Sequence, residues 1–314
     1  DQPRSRGLGD VYKRQELFHG ASVNPAWGGG PAGSASLANF GVLISSPTSE
    51  FKDFIWDELH NRVLSCSHSL KFPLRPDEFA KFAKHLEKIF TDSIKDHRPI
   101  DTVIHLAGLK SVSQSMKNPL QYWDVNVNGT LNLLEHSRKF YSGTKKRDFK
   151  FLHVSTDEVY GSLGNKGKFL ETTSYDPSSP YSASKASGDH LARAWHETFG
   201  LPIITTNCTN NYGPFQHEEK LIPLMISYCL KGEKLPIYGD GSNIRDWLYV
   251  KDHCEALYVV LKNGKKGETY NIGGKNEIKN IEVVTQICNL LDDLYPKKNG
   301  GSYSDQISLS LIHI

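Results

Sequence analysis

Tyr181 and Lys185 stand four residues apart in Ser179-Pro180-Tyr181-Ser182-Ala183-Ser184-Lys185. On a helix this spacing puts both side chains on one face, one turn from each other. A phenol with an ordinary pKa of ~10 is a weak base at neutral pH. An ammonium one turn away, together with a cationic nicotinamide ring, favours the phenolate, so the pair is expected to lower the tyrosine's pKa. A second element, Ser155-Thr156-Asp157-Glu158-Val159-Tyr160-Gly161, closes a strand-like run with two adjacent carboxyls. Two such carboxyls can divide the work of acid and base when their environments separate their pKa values. Together the two elements predict oxidation of a sugar hydroxyl followed by proton chemistry on the product.

The elements that must position these residues alternate. Asp101–Gly108 reads as a buried strand running into a glycine turn, followed by a helical stretch ending near Leu131, Leu133 and Leu134. Phe149–Thr156 and Pro202–Thr206 read as further strands, with a helix over Ser182–Phe199 between them. Beyond lie a helix over Leu221–Leu230, short strands near Leu235–Tyr238 and Asp246–Val250, a helix over Asp252–Lys262, and a last helix marked by Val284, Ile287, Cys288, Leu291 and Leu294. Strands alternating with helices predict an α/β fold with a parallel sheet covered on both faces. Ligands in such sheets sit beyond the carboxyl ends of the strands, where Thr156, Asp157 and Glu158 fall. Asp77–Phe90 reads as a helix, whereas Ser45–Leu74 gives no assignment. A phosphate-binding turn is expected near residues 30–45. Trp27-Gly28-Gly29-Gly30-Pro31-Ala32-Gly33-Ser34 is glycine-rich there, but it lacks the spacing and the preceding apolar strand, so it reads as a loop or non-native sequence in preference to a phosphate cradle.

The chain has 314 residues, 38% of them apolar and 23% charged, enough for a large core and unlike a disordered chain. A net charge of +2 gives no electrostatic footprint for nucleic acid or an anionic membrane. No apolar run is long enough to cross a bilayer, and the first residues carry no hydrophobic secretion segment. Five scattered cysteines without a C-x-x-C pair, Cys66, Cys208, Cys229, Cys254 and Cys288, fit a reducing compartment, with cytoplasm the expectation. His105, His153, His190 and His253 lack metal-ligand spacing and read as packing or surface residues; no metal is expected.

Six motifs in order resemble a known family: Ser155–Gly161, Ser179–Lys185, Asn207–Pro214, Glu219–Leu224, Ile244–Val250 and Tyr270–Gly274 look like the dTDP-glucose 4,6-dehydratases, which are extended short-chain dehydrogenases/reductases. The match covers roughly 138–297. It implies a Rossmann-like, doubly wound sheet with a smaller carboxy-terminal substrate lobe, bound NAD, a nucleotide-sugar substrate and a homodimer. The implied catalytic residues are Thr156, Asp157, Glu158, Tyr181 and Lys185: Tyr181 takes the 4-hydroxyl proton while C4 gives a hydride to NAD, Glu158 is base at C5, and Asp157 is acid to the departing 6-hydroxyl. Leu106, Ala107, Gly108 and Asn211, with Tyr181 and Lys185, would hold the cofactor. Asn210, Lys220, Leu221, Pro236, Ile237, Tyr238, Arg245 and Asn280 would contact substrate, Arg245 suiting a diphosphate unless it pairs with Asp246. Trp247 and Tyr249 read as core.

His105–Val112, Asn118–Leu120 and Asn126–Thr130 look more like UDP-glucose 4-epimerase. Divergence or a join of two parents near Leu133–Phe140 would produce this, and the termini favour the join. Asp10–Gln15 and Leu309–Ile314 can be encoded by the two strands of one inverted DNA repeat resembling a transposon end used in library preparation, with Ser5–Gly9 fitting the adjoining adaptor. On that reading 1–15 and 309–314 are adaptor-like, 16–208 is the NAD-binding domain, 209–308 is a truncated substrate lobe, and the frame is incomplete at both ends. The alternatives to a dehydratase are an epimerase of the same superfamily, or an inert fragment without the phosphate-binding loop.

Overall fold

The computed structural model describes residues 34–37, 42–45, 76–95, 100–106, 108–144, 148–163, 167–298 and 300–310. A six-stranded sheet runs in the order β1 (Ser34–Leu37), β2 (Val42–Ser45), β3 (Thr102–His105), β4 (Lys150–Thr156), β5 (Ile203–Cys208) and β9 (Thr269–Ile272). From β3 to β9 the neighbours are parallel, as expected. At the other edge β1 pairs with β2, and β2 with β3, in antiparallel fashion. A short connection between β1 and β2 can only reverse the chain, so this edge departs from the all-parallel expectation.

Alternation along the strands sends side chains to both faces. Val103, Phe149, Phe151 and Ile203 pack with Leu86 and Phe90 of α1 (Pro76–Lys95), with Leu133, Leu134 and Phe140 of α4 (Gly129–Thr144), and with Ala192 of α5 (Pro180–Phe199). Ile104, Leu152, Val154 and Ile204 face α7 (Val250–Asn263), which contributes Val250, Cys254, Leu257 and Leu261. Burial on both faces explains the unbroken apolar run of β4.

The stretch after β3 is more divided than one helix. It contains α2 (Val112–Lys117), α3 (Pro119–Tyr122) and a π-helical segment Trp123–Asn128, and then α4 continues to Thr144, well past Leu134. Pro119 cannot donate to the preceding turn and takes the first position of α3.

A second cluster gathers α6 (Leu221–Lys231) and α8 (Asn280–Leu294) against β7 (Leu235–Tyr238) and β8 (Ile244–Tyr249) through Met225, Leu235, Ile237, Trp247, Val284 and Cys288. Here β8 lies between β10 (Glu277–Lys279) and β6 (Asn210–Tyr212). β11 (Ile307–Ser310) runs parallel to β7, with Leu309 opposite Ile237 and Ser310 opposite Tyr238. Leu309 and Ser310 therefore belong to a regular strand, because ladder bonds use only the backbone.

Candidate active site

β4 and β5 end side by side, with Thr156 opposite Cys208, so the turns that follow them meet. After β4 the chain winds into a 3₁₀ turn, Asp157–Tyr160, capped by Thr156, whose Oγ1 accepts from the Glu158 N–H at 3.3 Å and donates to Asp157 Oδ1 at 3.4 Å. Gly161 ends the turn at φ 83°; a Cβ there would collide with the Asp176 carbonyl.

α5 starts from a capping box in which the Ser179 hydroxyl accepts from the Ser182 N–H at 3.0 Å and the Ser182 hydroxyl accepts from the Ser179 N–H at 2.9 Å, with Pro180 in the first turn. Tyr181 and Lys185 are both buried on the face toward β4, and Lys185 Nζ donates to the Val154 carbonyl at 2.9 Å. Both thus lie on one helix face, as the spacing predicts, and the chain's own groups act on the phenol. Burial, the Glu158 carboxylate and Cys208 push the Tyr181 phenol well above its ordinary value. Desolvation and a nearby carboxylate both disfavour the phenolate, and spacing along the helix shows neither.

The two carboxyls occupy different fields. Burial and then Glu158 push Asp157 up to about 6, opposed by the Thr156 hydroxyl and the Arg245 guanidinium. Burial also raises Glu158, but both Arg245 and Lys220 favour its charged form. Arg245 does not act as the partner of Asp246: Asp246 accepts from the N–H groups of Gly274 at 2.8 Å and Asn276 at 2.7 Å, fastening the loop after β9 to β8.

Thr156, Asp157, Glu158, Tyr181 and Lys185 line one cavity. Leu106, Gly108 and Asn211 join them from the expected cofactor set, and Asn210, Lys220 and Leu221 from the expected substrate set. Ala107 lies outside the described residues. Pro236, Ile237, Tyr238, Arg245 and Asn280 do not line the cavity. Ile237 is in the second core, while Arg245 is exposed and reaches the carboxyls by charge.

Other lining residues have no expected site role: Ser155, Thr209 and Trp247, which lie within the six motifs, and Gln216 and His253, which lie outside them. Asn126 is a further omission. Its side chain accepts from the Leu109 N–H at 2.8 Å and donates to Ser184 Oγ at 2.9 Å, tying the loop after β3 to the catalytic helix. The signal for it was a buried asparagine in an otherwise apolar helical pattern.

Within the cavity wall Ser155 Oγ, Thr209 Oγ1 and Asn211 Oδ1 are buried without a hydrogen-bond partner. Buried polar atoms demand partners, and three around one cavity suit a ligand rich in hydroxyl and amide groups, such as the nicotinamide–ribose end of NAD. The glycine-rich stretch 27–34, apart from Ser34, lies outside the described residues.

A parallel sheet bearing a Tyr-x-x-x-Lys helix beside its strand ends defines a Rossmann-like, short-chain dehydrogenase/reductase architecture. The chain belongs to the GDP-mannose 4,6 dehydratase family, whose pattern it matches over residues 85–307. It is 53% identical over 223 residues to the dTDP-glucose 4,6-dehydratase of Xanthomonas campestris pv. campestris, a match covering 70% of this chain and 63% of that protein. The structure of dTDP-glucose 4,6-dehydratase from Bacillus anthracis str. Ames in complex with NAD is similar at TM-score 0.59 and 46% identity, over 71% of this chain and 64% of that one. UDP-glucuronic acid 4-epimerase from Bacillus cereus, in complex with UDP-glucuronic acid and NAD, reaches TM-score 0.59 at 30% identity, over 71% of this chain and 64% of that one. The chain thus spans somewhat less than two thirds of the length of these relatives.

Proposed function

We propose that the chain carries the catalytic centre of an NAD-dependent nucleotide-sugar 4,6-dehydratase, converting dTDP-glucose to dTDP-4-keto-6-deoxyglucose. The observation that carries this reading is the placement of Asp157, pushed up to about 6, beside Glu158 in the cavity that holds Tyr181 and Lys185. An oxidoreductase that only oxidised and reduced a hydroxyl would need the tyrosine and lysine alone.

Leu106, Gly108, Asn211 and Lys185 would hold the nicotinamide end of NAD, which when bound supplies a hydride acceptor and donor returned to its starting state each turnover. Tyr181 accepts the proton of the sugar 4-hydroxyl; its raised pKa makes this proton hard to lose again, so the cationic neighbours Lys185 and the cofactor ring have to offset burial. The 4-ketone acidifies the C5 proton, which Glu158 removes as the carboxylate favoured by Arg245 and Lys220. Asp157, raised to about 6, holds a proton at far higher pH than an ordinary carboxyl, and its protonated form would give that proton to the departing 6-hydroxyl. Asn210, Lys220 and Leu221 would seat the substrate from the cavity wall, and Arg245 would steer its diphosphate. The epimerase alternative has no use for this acid–base pair. By likeness to the family we further infer a cytoplasmic homodimer.

The purified chain is expected to bind NAD and to release a product from dTDP-glucose with the alkaline absorbance of a 4-keto-6-deoxy sugar. NAD binding with formation of dTDP-galactose instead would select the epimerase reading. Absence of NAD binding at millimolar concentration would select the inert one.

A further inference from the structure

Tyr160, Asn207 and Tyr175, which the chemistry above does not use, join in an unbroken line of hydrogen bonds. Tyr160 is the last residue of the 3₁₀ turn that carries Asp157 and Glu158. Its hydroxyl donates to Asn271 Oδ1 on β9 at 2.8 Å and accepts from Asn207 Nδ2 on β5 at 3.1 Å. Asn207 Nδ2 donates a second time, to the Tyr175 hydroxyl at 3.2 Å. The Tyr175 hydroxyl in turn donates to Asp189 Oδ2 at 2.9 Å, and His153 Nε2 of β4 lies 3.0 Å from Asp189 Oδ1. Asp189 stands one helical turn beyond Lys185 on α5. The line thus starts on the acid–base turn and ends on the helix of Tyr181 and Lys185.

Its direction is set from the Asp189 end. A carboxylate accepts only, so Tyr175 donates to it and offers its oxygen to Asn207. An amide nitrogen donates only, so both N–H bonds of Asn207 go to phenol oxygens, and Tyr160 gives its own proton to Asn271. Burial raises both phenols, so each keeps the proton this order needs. Asn207 is 1% exposed and its Oδ1 is left without a partner. Turning the amide over would pair that oxygen only by taking the phenol protons from Asn271 and Asp189. One orphan acceptor is therefore the condition for an unbroken line.

We propose that Tyr160, Asn207 and Tyr175 form a positioning brace that ties the turn bearing Asp157 and Glu158 to the helix bearing Tyr181 and Lys185. Val159 and Tyr160 pack against Ala186, the neighbour of Lys185, but apolar packing has no direction and does not fix how the turn is rotated on the helix. The hydroxyl of Tyr160 supplies that direction. Its ring also stacks on Phe169 at 5.1 Å between centroids and meets Tyr175 edge-on at 5.2 Å. Replacing either tyrosine by phenylalanine keeps the rings and removes the hydroxyl alone.

The proposal rests on the dehydratase reading, and its test tells the two apart. In protein labelled with ¹³C-aspartate, the Asp157 carboxyl, assigned with Asp157→Asn, should titrate at about 6. In Tyr160→Phe the loosened turn admits water, and the midpoint should fall by about one pH unit, a tenfold change in ionisation constant. A folded Tyr160→Phe protein with the parental midpoint overturns the brace. Tyr175→Phe, which cuts the line at its far end, should lower the midpoint as well, and it decides alone if Tyr160→Phe does not fold. Ser302→Ala, which removes a cap in the second core, is expected to leave the midpoint in place; an equal fall there would report general loosening and overturn the brace. A parental midpoint already at the ordinary 3.8 would overturn both the acid assignment and the brace built on it.

If the parental protein dehydrates dTDP-glucose, Tyr160→Phe should lower kcat about tenfold with KM within about twofold. Reduced nicotinamide should then build up during turnover, because oxidation outruns elimination. Loss of product without that build-up would place the lesion in the oxidation step and overturn the proposal. Absence of turnover in the parental protein counts against the dehydratase reading and leaves the titrations to decide the brace.

Discussion

Asp157 and Glu158 are neighbours in sequence with unequal surroundings, and that inequality has consequences for stability as well as for catalysis. Between the ordinary carboxyl value of 3.8 and the folded value of about 6, the native state holds a proton at Asp157 that the unfolded chain has released. The native state therefore binds more protons in that window, and this residue's contribution to stability falls as pH rises through it. Above the window the charged carboxylate is a standing cost. Asp157→Asn removes it, and is expected to raise stability at pH 7 by about 1–2 kcal/mol, less than the full shift implies because the side chain keeps some solvent. Urea denaturation of both proteins at pH 7 and pH 4.5 checks this: the gain should shrink at the lower pH. The same substitution removes the proton for the leaving hydroxyl and should lower formation of the keto-deoxy product by about 10²–10⁴-fold. A variant that eliminated water at the parental rate would remove Asp157 from the acid role.

At the scale of elements, the seam between β4 and α5 determines whether Tyr181 reaches Thr156. Its upper end is the Ser179–Ser182 capping box, which starts two residues before Tyr181 and ends one residue after it. Ser179→Ala is expected to cost about 1 kcal/mol of stability. Because the loosened turn is the one that carries the phenol, kcat should fall further than the loss of folded protein explains. Comparison with Ser302→Ala, which removes the cap of the 3₁₀ turn Tyr303–Gln306 in the second core, separates the two effects. The capping box is a local pattern, Ser-Pro-x-Ser, although the sequence reads as a helix here only from Ser182. The π-helical segment is not a local pattern: its Asn126 bridges the β3 loop and α5, partners remote along the chain.

At the scale of the whole molecule, the second core is closed by its last segment. Tyr303 is buried, its hydroxyl donates to the Tyr295 carbonyl at 2.9 Å, and Ile307 leads β11 along β7. A chain stopped after Gln306 loses this strand and part of the apolar cover of Leu235 and Ile237; it should be less stable by about 1–3 kcal/mol in urea denaturation. The effect should be independent of NAD, since β7 and β11 do not border the catalytic cavity. A stability equal to that of the full chain would mean that the strand contributes no net packing.

The alternation of apolar runs and helical periods determined the parallel sheet and the order of its elements from β3 onward, and four-residue spacing put Tyr181 and Lys185 on one helix face, because these depend on local pattern within single elements. Tertiary structure decided what spacing does not contain. It left Pro236, Ile237 and Tyr238 out of the cavity lining, brought Arg245 to bear on two carboxyls, set the burial and the Glu158 charge that raise Tyr181 in the chain by itself, and joined His105, His153 and Asp189 into one buried line. Burial and charge–charge energies depend on distances between residues far apart along the chain, so only the folded molecule fixes their sign.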